Sequence, residues 1–222
     1  MEVMEAICSR RSIRAFKPDP VPREVLEDLL RACRWAPSAR NTQPWDLVVL
    51  GGKVMDKVKI CLTNKIKAKT EPSADIPVPE LPEPYSRRAI EQRDRVDMAQ
   101  FPLGTEGLSK KRAAYWITGG CFHDAPNGII ICLERALYPK MLFDVGIMAQ
   151  TICLAAITYG LGTCITLRPV YWPSMLRELL GISETKLLVM AIAIGYPMPE
   201  ARINNFIRLR EPLESFVHWC GV

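Results

Sequence analysis

The second half of the chain alternates short apolar runs with helical stretches, and this alternation limits the possible folds more than any other feature. An apolar run at 128–133 precedes a helical pattern at 141–159, and further runs at 163–167 and 187–194 flank a helical pattern at 173–180. Short apolar runs are typical of buried strands, whereas a 3.6-residue period is typical of helices. The sequence therefore predicts an α/β or α+β sheet covered by helices.

The first half of the chain adds helices and one further strand. Helices are predicted over residues 1–11 and from Pro22 to the residues before Pro37, since proline suits a first helical position and apolar side chains recur at helical spacing. An apolar run at 47–50 predicts a strand, and residues 53–68 follow a helical period. We therefore expect a single domain over residues 1–222.

A proline-rich excursion separates the two halves. Prolines at positions 72, 77, 79, 82 and 84 predict irregular backbone, because proline removes a donor and breaks both helices and ladders. A charged stretch and the glycines near 104–107 continue the segment. We predict a lid or arm inserted at about 70–112, since long connections of this kind are usually functional or mobile. The aperiodic, aromatic end of the chain predicts a C-terminal arm at about 197–222.

Charge and cysteine content exclude several classes of protein. The net charge of +5 is spread along the chain, so we expect no nucleic-acid binding. Eight cysteines form no CxxC pair and only two histidines accompany them, so we expect buried free thiols, no metal site and a reducing, cytoplasmic location. The first residues carry two acids, and polar residues interrupt the apolar stretch at 141–159, so we expect neither a signal peptide nor a membrane span.

The chain lacks the motifs of several large enzyme classes. It contains no GxGxxG after a strand, no P-loop and no GxSxG elbow. His123 lies beside Asp124, but adjacent residues seldom form a catalytic dyad, and we expect a satisfied structural pair. An enzyme without an obvious acid, base or metal often lets a cofactor carry the chemistry.

Two groups of polar and cationic residues, one near each terminus, suit an anion. Guanidinium groups bind phosphate through several directed hydrogen bonds. The first group alone also fits a solvated basic turn, and the second completes the same site only if the fold brings the termini together. The groups are Arg10, Arg11, Ser12 and Arg14, and Arg208 and Arg210.

Two N-terminal segments carry recognisable motifs. Residues 10–16 read Arg-Arg-Ser-Ile-Arg-Ala-Phe and residues 37–45 read Pro-Ser-Ala-Arg-Asn-Thr-Gln-Pro-Trp. Together these segments resemble the two N-terminal signatures of the nitroreductase family. The stretch at 81–88 is similar to the nitrobenzoate-reductase-like subgroup, and iodotyrosine deiodinases are more distant. Further marks in the family's order are Asp-Ala-Pro at 124–126, Gly-Leu-Gly-Thr at 160–163, Gly-Tyr-Pro at 195–197 and Arg-Leu-Arg-Glu-Pro at 208–212.

The resemblance implies a fold, a cofactor and a reaction. The fold is α+β, a three-layer sandwich in which helices cover a central mixed, mainly antiparallel sheet, and two chains form an intertwined homodimer. FMN is implied at the subunit interface, with NADH or NADPH as electron donor. Nitroaromatics, quinones or related small molecules are the implied acceptors, reduced by ping-pong hydride transfer at the flavin N5. No protein side chain is implied as a catalytic group.

The resemblance also implies which residues hold FMN. Arg10, Ser12 and Arg14, with Arg11 beside them, correspond to contacts with the phosphate, ribityl and pyrimidine parts, and Arg208 and Arg210 to contacts with the phosphate. The loop with Pro37, Ser38, Ala39 and Asn41 corresponds to the lining of the isoalloxazine from the other subunit, and Ile165, Thr166 and Leu167 to the segment near N5.

Other uses of the same fold stay open at this point. Deiodinases hold a zwitterionic substrate with a Glu, Tyr and Lys set, and Glu83, Tyr85 and Lys110 or Lys111 supply those residue types. A dehydrogenase and a flavin-binding subunit without turnover are also compatible with the sequence. Aromatic side chains that could line the site, although a core position is expected for any one of them, are Trp116, Phe122, Tyr138 and Phe143.

Overall fold

The computed structural model describes residues 2–222, and within that range it contains seven α-helices and four β-strands. All four predicted strands are present. Met1, the first residue of the first predicted helix, lies outside the described residues. The elements are α1 (Val3–Ser9), α2 (Arg23–Cys33), β1 (Trp45–Leu50), α3 (Gly52–Lys67), α4 (Tyr85–Gln100), α5 (Leu108–Gly120), β2 (Asn127–Glu134), α6 (Leu142–Thr158), β3 (Gly162–Thr166), α7 (Pro173–Leu180) and β4 (Lys186–Gly195).

The strands form one sheet in the order β1-β2-β4-β3. All three ladders are antiparallel, and an irregularity in the β2–β4 register lies between Ile131 and Cys132. The parallel contribution within the described residues is an isolated bridge between Ser12 and Thr163. The mainly antiparallel sheet that was predicted is therefore confirmed, with its parallel part reduced to this bridge.

Helices cover both faces of the sheet. Ile129, Ile131 and Leu133 of β2 are fully buried in a core shared with α2 and α6, whereas Ile130 and Cys132 are buried in a second core with α3 and α7. Successive strand residues point to opposite faces, so an uninterrupted apolar strand serves two cores. Each fully buried aliphatic side chain contributes about 1.5–3 kcal/mol. The arrangement is the predicted three-layer α+β sandwich.

Helix α6 is buried in the first of these cores. Val145, Met148, Ile152 and Ala156 of α6 are almost inaccessible to solvent. Among residues 2–222, no helix combines the length and the apolarity needed to cross a bilayer.

The proline-rich excursion is irregular only in its first part. From Tyr85 the charged stretch forms α4, and α5 follows from Leu108, so much of the segment at about 70–112 is helical rather than irregular. Within α4, Arg87 and Glu91 form an i,i+4 ion pair at 3.1 Å, but only Val96 is buried. The helix therefore lacks the apolar stripe by which helices are recognised in a sequence.

The eight cysteines are all free. Five are buried, and burial raises the pKa of the thiols of Cys33 and Cys132 to about 11, so both stay protonated. The expectation of buried thiols is wrong for Cys8 and Cys220, which are exposed near the two ends of the chain.

Candidate active site

The basic N-terminal segment runs beside strand β3. Ser12 and Thr163 form the parallel bridge, and the backbone N–H of Ile13 donates to the carbonyl of Thr163 at 2.9 Å. The close approach depends on Gly162, because a Cβ there would lie 2.6 Å from Cγ1 of Ile13. Glycine therefore lets the segment reach β3, and Arg14, the residue after Ile13, lines a cavity together with Ile165 and Thr166 at the end of that strand.

The C-terminal segment is hydrogen-bonded to the same N-terminal residues. A guanidinium nitrogen of Arg11 donates to the carbonyl of Phe206 at 2.9 Å. Arg208 donates to the carbonyl of Arg10 and, at 2.8 Å, to that of Cys8. The two ends of the sequence thus meet, which is the condition under which Arg208 and Arg210 complete the anion site.

These residues surround a cavity of about 140 Å³. None of its five arginines has a carboxylate within 4.0 Å in the part of the chain that the structure describes. Burial, followed by the charges of Arg11, Arg210 and Arg10, lowers the pKa of Arg208. Packed cations without acidic partners create a field that favours an anion. The lining consists of Arg10, Arg11, Ser12, Arg14, Gln92, Phe206, Arg208 and Arg210.

A larger cavity of about 460 Å³ adjoins the first, and Arg14 and Gln92 line both. Its lining includes the end of β3, the inner side of α4 and the C-terminal half of α5. Apolar and aromatic groups thus surround a few polar ones, as in sites for flat organic ligands. Its principal lining residues are Arg14, Gln92, Val96, Asp97, Tyr115, Trp116, His123, Ile165, Thr166, Leu167 and Arg168.

Arg168 is held against α5. Its guanidinium carbon lies 3.5 Å from the centroid of the Trp116 ring, and Nη1 donates to the carbonyl of Trp116 at 2.9 Å. The contact combines a cation–π interaction with a hydrogen bond. Burial lowers the pKa of Arg168.

His123 enters the larger cavity from a left-handed turn. Phe122, His123 and Asp124 have φ of 57°, 52° and 56°, values that cost non-glycine residues free energy and occur mainly at functional sites. Phe122 is fully buried and anchors the turn. Burial, then the charges of Arg14 and Arg168, lowers the pKa of His123 to about 3, so the imidazole is neutral at physiological pH.

The prediction that His123 and Asp124 form a satisfied structural pair is wrong. The Nδ1 atom of His123 is buried and has no hydrogen-bond partner among the described residues, and Asp124 is exposed. The left-handed turn directs His123 into the larger cavity and Asp124 to the surface, and the adjacency of the two residues in the sequence does not reveal this.

The loop of residues 37–45 lies outside both cavities of its own chain. The backbone N–H of Ala39 donates to both carboxylate oxygens of the buried Asp144 at 3.3 Å. Oγ of Ser38 accepts the backbone N–H of Gln43 at 2.9 Å. The loop is therefore fixed from beneath while its outer surface stays exposed, so the structure does not bring Pro37, Ser38, Ala39 and Asn41 to the arginines of the same chain.

The structure thus collects nine of the residues expected at the cofactor site around two adjoining cavities. They are Arg10, Arg11, Ser12, Arg14, Ile165, Thr166, Leu167, Arg208 and Arg210.

Sequence reasoning missed Gln92, Tyr115, Arg168 and the buried Asn204, which lie in segments without a readable pattern or are distant in sequence from what they touch. Of the aromatic candidates, Trp116 lines the larger cavity, Phe122 belongs to the core, and Tyr138 and Phe143 are exposed elsewhere. No cluster of three or more potential metal ligands occurs within residues 2–222.

Comparison with known proteins supports one family. The model of the nitroreductase family matches residues 7–196. The chain is 29% identical over 219 residues to 4-nitrobenzoate reductase from Pseudomonas putida, over 97% of this chain and 94% of that protein. It is 25% identical over 218 residues to iodotyrosine deiodinase from Nematostella vectensis, over 97% of this chain and 74% of that protein.

A solved structure shows the same fold. The FMN-dependent nitroreductase NfnB from Mycobacterium smegmatis, in complex with NADPH, superposes with a TM-score of 0.89 at 27% identity, over 98% of this chain and 97% of that chain. The predicted fold class is therefore confirmed.

Proposed function

The chain belongs to the nitroreductase family, and on that premise we propose that it is an FMN-dependent oxidoreductase that uses NADH or NADPH to reduce nitroaromatic, quinone or related small acceptors. The observation that carries this proposal is the pair of adjoining cavities that share Arg14 and Gln92. One is small and cationic, and its arginines have no acidic partner within residues 2–222. The other is larger and lined by apolar and aromatic groups, as a phosphate joined to a flat ring system requires.

The residues present fit FMN. Arg10, Arg208 and Arg210 would hold the phosphate, because their charges lack carboxylate partners among the described residues and repel one another without an anion. Ser12 would meet the ribityl chain. Arg14, which faces both cavities, would bind the pyrimidine end of the ring and stabilise negative charge there.

In this proposal the protein's own groups position the reactants. When bound, FMN supplies hydride transfer between the nicotinamide and the acceptor. Ile165 and Thr166 end β3 and Leu167 follows it directly, so the sheet would fix the segment that is expected to lie near N5. The larger cavity is one space between α4, α5 and the end of β3, which suits two substrates that bind in turn, as a ping-pong mechanism requires.

A second copy of the chain completes the site in this proposal. Most of the loop of residues 37–41 is exposed and none of it lines the two cavities of its own chain, so we assign it to the partner's flavin. Many large apolar side chains in α1, α6 and the C-terminal segment are also exposed. Such surfaces mark interfaces. They include Val3, Met4, Ile7, Phe143, Ile147, Ile207, Phe216 and Trp219.

A cytoplasmic location belongs to the same proposal, since eight unpaired thiols suit a reducing compartment. Deiodination is not favoured. Of the residue types that it would use, neither Glu83 and Tyr85 nor Lys110 and Lys111 line the larger cavity among the described residues.

The test is reconstitution followed by reduction. Protein purified with excess FMN should be yellow, should lose its visible flavin absorbance on anaerobic addition of NADPH or NADH, and should regain it when a nitroaromatic acceptor is added. Protein that takes up no FMN would contradict the cofactor assignment. Bound FMN that neither nicotinamide reduces would instead indicate a flavin-binding subunit without turnover.

A further inference from the structure

The guanidinium of Arg168 has more hydrogen-bonding capacity than the protein uses. One face is covered by Trp116, and Nη1 donates to the Trp116 carbonyl. Guanidinium has five N–H donors, and no other hydrogen bond or ion pair of this group occurs in the described part of the chain. Donors of Arg168 therefore remain available at the wall of the larger cavity.

No acidic side chain of the described cavity lining neutralises the charge of Arg168. Asp97 is the one carboxylate of the described lining, and it pairs with Arg112 at 3.1 Å. Arg14 and Arg93 are two further cations of the lining. Nε of Arg93 lies 3.5 Å from Oδ1 of Asp94, a residue that does not line the cavity. The lining is thus cationic, and partly buried cations without counter-ions are normally retained where a ligand supplies the negative charge.

His123 lies next to Arg168 on the same wall. A Cβ at Gly119 would be 3.1 Å from Nη1 of Arg168 and 3.4 Å from Cε1 of His123, so both side chains pack against the bare backbone of α5. Within residues 2–222, the buried Nδ1 atom of His123 has no hydrogen-bond partner. A guanidinium and a neutral imidazole with unused hydrogen-bonding capacity therefore lie side by side.

Building on the proposed function, we infer that Arg168 and His123 form a subsite for an anionic group of the electron acceptor, and that the preferred acceptors are aromatic carboxylates. Arg14 would serve the flavin, which leaves Arg168 for the second substrate. A carboxylate matches the planar fork of a guanidinium, and Tyr115 and Trp116 would contact the aromatic ring. His123 would supply one further hydrogen-bonding nitrogen.

The test compares ligands that differ only in charge. Benzoate and benzamide are titrated into the FMN-loaded enzyme, with calorimetry and tryptophan fluorescence as readouts. Benzoate should bind roughly 10- to 100-fold more tightly than benzamide, as expected for charge-assisted hydrogen bonds. Arg168→Met should abolish this preference. Arg23→Met, which removes the same charge from an exposed residue paired only with Glu27, should preserve it.

Turnover separates a substrate contact from a structural role. The readout is kcat/KM for 4-nitrobenzoate divided by kcat/KM for nitrobenzene. Arg168→Met should lower this ratio roughly 10- to 100-fold, mainly by raising the KM for 4-nitrobenzoate. An equal loss with both acceptors would overturn the subsite. If Arg168→Met fails to fold, the wild-type titration still decides, because equal affinity for benzoate and benzamide contradicts the inference.

Failure of the proposed function gives a different result. Protein that takes up no FMN would refute the oxidoreductase proposal. The benzoate titration can then be run with saturating inorganic phosphate, which occupies the arginine cluster of the smaller cavity. A remaining preference for benzoate that Arg168→Met removes would support the subsite by itself, and its absence would refute it.

Discussion

The buried side chain of Asn204 fixes the backbone of Arg14. Its Oδ1 accepts the N–H of Arg14 at 2.8 Å and that of Ala15 at 3.2 Å, and its Nδ2 donates to the carbonyls of Ala15 at 2.8 Å and Met198 at 3.0 Å. One amide therefore holds both termini in the arrangement that unites the arginines. Asn204 is not itself a cavity residue, so its effect on the ligand is one of positioning.

Asn204→Ala should reduce both stability and FMN affinity. It leaves backbone groups without partners, and a buried unsatisfied donor or acceptor costs about 1–3 kcal/mol. Urea denaturation and the quenching of FMN fluorescence measure the two effects. Asn205→Ala is the matched control, because that neighbouring amide is exposed and bonds only to the carbonyls of Pro199 and Ala201. Equal FMN affinities in the two variants would remove Asn204 from this role.

Arg10→Ala should weaken binding of FMN but not of riboflavin. The lost charge-assisted hydrogen bond is worth about 1.5–3 kcal/mol and requires the phosphate. Fluorescence titrations with the two flavins measure the difference. The guanidinium of Arg208 bonds to the backbone carbonyl of Arg10 and not to its side chain, so this hydrogen bond should survive the substitution. Parallel losses for both flavins would show that Arg10 supports the fold rather than the phosphate.

Gly162→Ala should push the basic segment away from β3. The new Cβ would lie 2.6 Å from Cγ1 and 3.1 Å from Cγ2 of Ile13, and overpacking of this kind costs about 1–3 kcal/mol. Thermal unfolding and FMN affinity should both decline. In an Ile13→Ala background Cγ1 and Cγ2 are absent and only Cβ, at 3.0 Å, is kept, so Gly162→Ala should cost less there. An undiminished cost would place the constraint elsewhere.

His123 should make the free energy of unfolding depend on pH in the acid range. In the folded state its pKa is lowered from 6.5 to about 3, first by burial and then by Arg14 and Arg168. Between these two values the unfolded chain binds a proton that the folded chain does not. Stability from this group is therefore full above pH 6.5 and declines as pH falls toward 3, by at most about 1.4 kcal/mol per unit.

His123→Asn should flatten that decline, since asparagine does not titrate and tolerates a left-handed φ. Urea unfolding at several values between pH 4 and pH 7 measures the slope. His218→Asn, at the exposed histidine of the C-terminal segment, is the control for loss of an imidazole. A slope unchanged by His123→Asn would contradict the burial of a neutral His123.

Local patterns explain why most of the fold was predictable. Helix α2 carries apolar residues at a helical period and β2 is an uninterrupted apolar run, and each pattern reflects the faces that the element buries. Helix α4 carries no such pattern, because Val96 is its one buried residue and its other side chains, many of them charged, are exposed or half-buried. Its packing over the cavity is a property of the whole fold.

The same distinction applies to the site. Arg10, Arg11 and Arg14 form a cluster within the sequence itself, so an anion site could be predicted. Arg168 acquires its character from Trp116, which lies far away in sequence, and His123 from a left-handed turn. Neither contact leaves a local signal, so these two residues could be found only in the folded chain.

The proposed exchange of loops between subunits predicts complementation. Arg10→Ala combined with Arg210→Met damages the phosphate site of its own chain. Ala39→Trp places a large ring on the exposed loop, where it would obstruct the flavin of the partner. In a mixed dimer both lesions fall on one site, and the other site is intact. Co-expressed, differently tagged chains should therefore yield a heterodimer with about half the activity per dimer of the unmodified enzyme, whereas each variant alone is impaired.

The mixed dimer also distinguishes the two possible positions of the loop. If the loop served the cavity of its own chain, each site of the heterodimer would carry one lesion, and activity would stay as low as in the variants alone. FMN content, measured by absorbance after tandem purification, gives the same answer without turnover. One retained flavin per heterodimer indicates exchange, because only an intact site combines the arginines of one chain with the unmodified loop of the other.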